Sequence, residues 1–243
     1  MELKSTHKRT LIAGSCSIES EYQARELSDD LANLAEKYGF DFYFKGSFDK
    51  ANRTSGYSER GLGLEKVAEI FSKLDCKITT DIHECHQVSE LTDVVDMFQI
   101  PAFLCRQTDL IQTAAMTGKI VNIKKGQFVN GADMKHAVHK ADLKQNENNK
   151  VWVTERGSMF GINDLVVDFR QIIDMQEIPD VPVIMDCTHS VSPKYSLAMA
   201  KCANALDVDG FFFEVHRDPQ SAISDGSRMI KLSDFENILK QIQ

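Results

Sequence analysis

Residues capable of chemistry gather just behind short apolar runs. Cys16 follows LIAGS, and Asp81, His83 and Glu84 follow KITT. Lys45, Ser47, Asp49, Lys50, Asn52 and Arg53 follow DFYF. Arg106 and Gln107 come after MFQIPAFLC, Lys124, Lys125 and Gln127 after IVNI, and Glu155 and Arg156 after VWVT. Asp186 and His189 close VPVIM, Glu214 and His216 close GFFF, and Asp225 follows in SAISDGS.

Two chemistries suggest themselves. Lys45, Lys50, Arg53, Arg106, Lys124 and Arg156 are cations placed against a net charge of −8. Gathered at one end of a fold they fit an anionic ligand, and the planar Arg fork suits phosphate or carboxylate. The competing reading is that these are ordinary solvated charges. Separately, Cys16, His189, Glu214 and Asp225 offer one thiolate, one imidazole and two carboxylates. That set suits one divalent transition ion, Zn, Fe or Mn. Cys187 and His216 are rival ligands, each two residues from a member of the set, and a buried Cys or His serves equally well as plain core. The HECH run (83–86) is a poor metal site, because consecutive strand residues point to opposite faces.

Elements must position these groups. Eight runs read as strands: 11–16, 41–47, 77–83, 97–102, 120–125, 151–157, 181–189 and 210–216. Each is short, β-branched or aromatic, and nearly continuously apolar, as buried parallel strands are. Helical patterns lie between them. The clearest are 19–39, with Ser20 to cap its start and Gly39 its end, then 63–74, 108–119, 132–143, 196–206 and 232–243. This rhythm predicts one (β/α)8 TIM barrel over residues 1–243, with the active site at the C-terminal strand ends. A doubly wound open sheet is the runner-up.

Composition narrows the classes. The chain has 243 residues, 42% apolar and 26% charged, as globular proteins do. An acidic chain with one Trp and no basic run is a poor nucleic-acid binder. It has neither a membrane-spanning apolar stretch nor a signal-peptide core, so a soluble cytoplasmic protein is expected. None of the six cysteines forms CxxC, and reduced thiols are the expectation.

Longer motifs go further. KGSFDKANRTS (45–55), TTDIHE (79–84), QIPAFLCRQTDL (99–110), NIKKGQF (122–128), TERGSMFGINDLVVDFR (154–170) and DCTHSV (186–191) closely resemble the 3-deoxy-D-manno-octulosonate 8-phosphate synthases, which belong with the heptulosonate 7-phosphate synthases. The resemblance covers about residues 11–230. It implies a barrel, commonly a homotetramer, that condenses phosphoenolpyruvate with arabinose 5-phosphate and water and releases phosphate. It implies phosphoenolpyruvate contacts at Lys50, Lys124 and Arg156, with Ser47 and Gln127 close by; Lys45 and Ala102 join the substrate-binding positions. Asn52 and Arg53 match aldose-phosphate contacts, and Arg106 an arginine that reaches a neighbouring subunit's sugar phosphate. Cys16 marks the family's metal-dependent class, and His189, Glu214 and Asp225 match the other ligands, leaving Cys187 and His216 as neighbours.

The chain departs from that pattern in places. Ser15 stands where Pro is usual and Gly46 where Ser is usual. After the seventh strand THSVSPKYSLAMAKC passes almost directly into a helix, and a stretch of the family's Gly-rich loop is absent. The shortened lid leaves a different aldose acceptor open. The expected product is a 3-deoxy-2-ulosonate phosphate, in lipopolysaccharide biosynthesis if the acceptor is arabinose 5-phosphate. Asp81, His83 and Glu84 are candidates for proton handling, with Lys50 and Lys124 as catalytic lysines. Two other classes compete: a Schiff-base aldolase using Lys124 or Lys125, and a ligand-binding relative without turnover.

Overall fold

A (β/α)8 architecture follows from parallel strands buried on both faces, because each needs a crossover helix to return the chain to its starting edge. The computed structural model of the protein describes residues 8–51, 60–142, 150–159 and 165–243. Its barrel strands are β1 (Thr10–Gly14), β2 (Asp41–Lys45), β3 (Lys77–Asp81), β4 (Met97–Ile100), β5 (Ile120–Lys124), β6 (Val151–Glu155), β7 (Val183–Asp186) and β8 (Gly210–His216). They pair in chain order, and β8 returns to β1 with Gly210 opposite Thr10 and Glu214 opposite Gly14. That last ladder closes the barrel and excludes the open sheet.

The helices are α1 (Glu21–Lys37), α2 (Leu64–Phe71), α3 (His86–Leu91), α4 (Thr108–Ala115), α5 (Met134–Asp142), α6 (Arg170–Gln176), α7 (Pro193–Asn204) and α8 (Leu232–Ile242). Ser20 caps α1 by accepting from the Gln23 amide at 3.1 Å, and Gly39 takes a left-handed φ of 76° just past its end, as the sequence predicts. The sequence pattern does not single out α3 and α6, which are 6 and 7 residues long. Fewer than two turns give no readable period. None of the described helices is long and apolar enough to cross a membrane.

Packing separates the two ends of the barrel. Ile12, Tyr43, Met97, Ile184 and Phe212 fill the lumen as an apolar plug, while a larger shell seals strands against helices. Lys45, Asp81, Lys124 and Glu214 lie beyond the plug, at the C-terminal mouth. The strands also end sooner than their apolar runs do. β1 stops at Gly14 rather than Cys16, and β7 at Asp186 rather than His189. Cys187 and His189 thus lie in a turn and do not share a strand face: Cys187 is buried in the outer shell. The turn from Cys187 to Ser192 leads straight into α7, whose first residue is Pro193. The Gly46 departure has a steric reason, since a Cβ there would collide with the Ile18 side chain.

Gly14 is where β1 crosses closest to β2: a Cβ on it would overlap the carbonyl oxygen of Lys45. Gly14→Ala should destabilise the barrel by about 1–3 kcal/mol, the usual cost of overpacking. Urea denaturation followed by circular dichroism measures it.

Candidate active site

A buried ammonium needs a carboxylate close by. At the mouth of this barrel the pairs form across strands. Lys45 ends β2 and donates to Asp81 Oδ1 at the end of β3, 2.8 Å away, with the Lys45 side chain only 3% exposed. Asp81 Oδ2 lies 3.2 Å from His83 Nε2. Burial alone would raise the Asp81 carboxyl, but Lys45, His83 and Lys50 outweigh it and hold it well below the usual range. Lys124 ends β5 and donates to Asp186 Oδ2 at 2.6 Å, its Nζ 3.5 Å from the centre of the Phe212 ring. Burial pulls this ammonium below its ordinary value, and Asp186 only partly offsets it. Lys50 donates to the Cys16 carbonyl at 2.5 Å. For Lys50 burial is outweighed by Cys16, Asp81 and Glu214, and its pKa rises. Burial lowers that of Arg156.

A second group sits where β1 and β8 meet. Glu214 faces Gly14 in the ladder, and Cys16 lies two residues beyond. Donor atoms of Cys16, Glu214 and Asp225 lie within 4.8 Å of one another. Cys16 Sγ donates to Asp225 Oδ2 at 3.1 Å, and Asp225 adopts a left-handed φ of 51°. His189 joins through Glu214, with Nε2 3.4 Å from Oε1. Its other ring nitrogen, Nδ1, is 2.9 Å from Asp186 Oδ2, and the Thr188 and His189 amides donate to Asp186 Oδ1 at 3.0 and 2.8 Å. Asp186 therefore orients the imidazole while it pairs Lys124. Outer carboxylates orient metal-ligating histidines in this way.

The donor set fits a divalent ion. Glu214 Oε2 is buried and has no hydrogen-bond partner among the described residues. Burial, with Glu214 and Asp225, pushes the Cys16 thiol up to about 12, so without a cation it keeps its proton. Burial would raise Glu214, yet His189, Lys50 and Lys124 lower it to about 2. Burial would lower His189, yet Asp186 and Glu214 raise it. An inserted cation replaces the thiol proton and takes up the free carboxylate oxygen.

These groups line one cleft of about 290 Å³. Of the sequence-predicted residues it gathers Cys16, Lys45, Lys50, Asp81, Ala102, Lys124, Gln127, Arg156, His189, Glu214 and Asp225. Asn52 and Arg53 lie outside the described residues. Glu84 is a correction: it is exposed and pairs with His86 at 3.3 Å, away from the cleft, so it has no proton to handle there. His83 reaches the site only through Asp81, its ring against Phe48. Ser47 is buried, donates to the Asp49 carbonyl at 2.9 Å and does not line the cleft. Arg106 is exposed, and its carbonyl accepts from Lys140. His216 faces Glu19, 3.6 Å away, rather than the metal corner. Sequence reasoning gave no role to Asp186, Gln99, Phe103 or Phe212. Asp186 had a signal, a carboxylate ending an apolar run, whereas Phe212 reads simply as core. A larger cavity of about 580 Å³ opens outside the barrel between α7 and α8. Lys194, Lys231, Asp218 and Asp234 line it, and none of the groups that line the strand-end cleft do.

With this geometry in hand, comparison with known proteins is informative. The model of the DAHP synthetase I family matches residues 4–243. The 2-dehydro-3-deoxyphosphooctonate aldolase of Rickettsia canadensis (strain McKiel) is 47% identical over 249 aligned residues, which cover 96% of this chain and 90% of the relative. That of Wolinella succinogenes is 45% identical, covering 96% of this chain and 97% of the relative. That of Helicobacter hepaticus is 44% identical, covering 96% and 94%. The Wolinella match runs over 257 aligned positions, more than the chain's 243 residues, so this chain lacks residues the relative has.

Asp81 is the partner of Lys45, and removing one member of a buried pair costs about 3–5 kcal/mol. Asp81→Asn should lose stability on that scale near pH 7. Because the folded carboxyl is depressed, its contribution is complete above the unfolded value of about 3.9 and fades as pH falls through the folded one. Urea unfolding of both proteins from pH 7 downward should therefore show their difference shrinking only below about pH 4.

Proposed function

The chain belongs to the DAHP synthetase I family, and from that premise we propose that it is an enzyme condensing phosphoenolpyruvate with D-arabinose 5-phosphate and water. The products are 3-deoxy-D-manno-octulosonate 8-phosphate, which is the 2-dehydro-3-deoxyphosphooctonate of its relatives' name, and inorganic phosphate. One observation carries this reading: a wall of cations and a cluster of Cys16, Glu214 and Asp225, with His189 beside Glu214, share a single cleft in a protein of net charge −8.

Lys50, Lys124, Arg156 and Gln127 bind the carboxylate and phosphate of phosphoenolpyruvate, and Ala102 and Lys45 complete that wall. Holding this anion beside the acceptor supplies proximity, which is worth up to about 7–11 kcal/mol of a barrier. C3 of phosphoenolpyruvate attacks the aldehyde carbon as water adds to C2, and the aldehyde oxygen gains a proton. The proton lost by water is the one the aldehyde oxygen gains, relayed through the Asp81–His83 pair beside Lys45. The resulting hemiketal phosphate loses phosphate by C–O cleavage and leaves the ketone at C2. Cys16, His189, Glu214 and Asp225 would hold one divalent transition ion, which would supply Lewis acidity. Lys124 is tied to Asp186 and Lys125 lies outside the cleft, so the reading needs no imine. Exposed Arg106 is the residue offered to a neighbouring subunit in a homo-oligomer, a tetramer as the resemblance implies.

A second reading concerns only the acceptor. The direct passage from Cys187–Ser192 into α7, and a chain shorter than its alignment, favour a lid reduced on the aldose side. The same chemistry on another aldose follows from that.

Phosphate release from phosphoenolpyruvate plus arabinose 5-phosphate, with Mn present and with chelator, tests both readings. The expected result is release that chelator stops, and Cys16→Ala should abolish that chelator-sensitive turnover. Full activity in Cys16→Ala would sink the metal assignment. No release with arabinose 5-phosphate but release with another aldose of a panel would establish the second reading, and a borohydride-trapped adduct would replace condensation with Schiff-base chemistry.

A further inference from the structure

Lys125 stands beside Lys124 in sequence but on the other side of the barrel wall. Its side chain is 0% exposed, as is that of Glu155, its neighbour at the end of β6. The two are 3.5 Å apart. The Lys125 ammonium also lies 3.1 Å from Ser158 Oγ, 3.2 Å from the Val129 carbonyl, 3.4 Å from that of Gly126 and 3.5 Å from that of Gly157. Every one of these acceptors belongs to one of two segments, 126–129 after β5 and 155–158 after β6. Glu155 Oε1 in turn accepts from the Gly157 amide at 2.7 Å, and Gly157 itself has a left-handed φ of 86°. A backbone bond from Met159 to the Gln127 carbonyl, 3.0 Å, runs between the same segments.

These segments carry two cleft residues from opposite sides. Gln127 is two residues beyond Lys125, and Arg156 directly follows Glu155. Both line the cleft, whereas Lys125 and Glu155 do not. Stability alone is a weak reason for the pair. A buried ion pair is often replaced by apolar residues at no cost or with a gain of about 1–4 kcal/mol. What an apolar pair would not supply is one donor group fixing two loops to each other.

We propose that Lys125 and Glu155 are a positioning pair: by tying the Gln127 loop to the Arg156 loop behind the cleft wall, they set the spacing with which those residues grip phosphoenolpyruvate. The proposal rests on the reading of Gln127 and Arg156 as phosphoenolpyruvate contacts. It also assigns Lys125 a role that excludes a covalent one, since its ammonium is sealed among carbonyls. Burial raises the Glu155 carboxyl, with Lys125 acting against it, so loss of Lys125 leaves an acid that takes up a proton rather than a free anion.

The test compares the wild type, Lys125→Met, and the apolar double variant Lys125→Met/Glu155→Leu. Calorimetric titration gives the phosphoenolpyruvate Kd, steady-state assays give KM and kcat, and thermal melting gives Tm. A misplacement of about 1 Å in a site costs up to about 10²-fold, and the single variant should raise Kd and KM for phosphoenolpyruvate about tenfold or more. Its kcat and its KM for the aldose should stay within about threefold. The double variant should regain the wild-type Tm while keeping the raised KM, and it decides the matter alone if Lys125→Met does not fold. Recovery of both Tm and phosphoenolpyruvate affinity by the double variant would overturn the proposal, because the pair would then serve stability only. Absence of phosphoenolpyruvate binding by the wild type would instead overturn the reading beneath it, and it shows before any variant is made.

Discussion

Charges buried at the mouth of an apolar barrel must be paired, and much of this site follows from that requirement. The lumen below is closed by Ile12, Tyr43, Met97, Ile184 and Phe212, so a lysine ending a strand has no aqueous route downward. Isolating such an ammonium from water costs several kcal/mol, and only a nearby carboxylate offsets it. Lys45 meets Asp81, Lys124 meets Asp186 and Lys125 meets Glu155. In each pair the members come from different strands, and closure of the barrel by β8 on β1 keeps those ends in place. Asp186 illustrates the economy of this arrangement. Its two oxygens accept from Lys124, the His189 ring and two backbone amides, so one carboxylate joins the cationic wall to the corner where Cys16, Glu214 and Asp225 cluster.

The pleat divides the work between two faces. At the end of β5, Lys124 enters the cleft and Lys125 does not; at the end of β6, Arg156 enters it and Glu155 does not. Adjacent residues thus serve recognition on one side and register on the other. On the proposal above, a small change outside the wall is felt within it, since the loops that bear Gln127 and Arg156 are bonded to each other.

How much of this was legible beforehand depends on the range of the interaction. Strands were legible because burial on both faces leaves apolar runs, and their order follows from short crossovers. Their ends were not, because the apolar run continues past the ladder; in LIAGSC the ladder stops at Gly14, and Cys16 lines the cleft. α3 and α6 were too short to show a period. Most cleft residues could be named because unusual chemistry at a strand end stands out against apolar neighbours. Partners could not, since pairing such as Lys124 with Asp186 crosses 62 positions of sequence. Glu84 shows the opposite error. Its nearness to Asp81 along the chain suggested a shared role, but the turn after β3 carries it to the surface beside His86.

The charge count within the cleft ties its two halves together. Among the described lining residues, Lys45, Lys50, Lys124 and Arg156 stand against Asp81, Asp186's neighbour Glu214, and Asp225, with Asp186 itself just behind His189. Cations and carboxylates nearly cancel, so the basic wall alone carries little net attraction for a phosphorylated carboxylate. The metal corner changes that balance. Glu214 keeps one buried oxygen without a hydrogen-bond partner among the described residues, and a divalent ion between it, Asp225 and Cys16 would offset their charge. Lys50 and Arg156 would then face the substrate with less of their charge opposed, since Glu214 acts on both. Substrate affinity and metal occupancy are on this view one electrostatic problem, because the acids that a cation would bridge line the same cleft as Lys50 and Arg156.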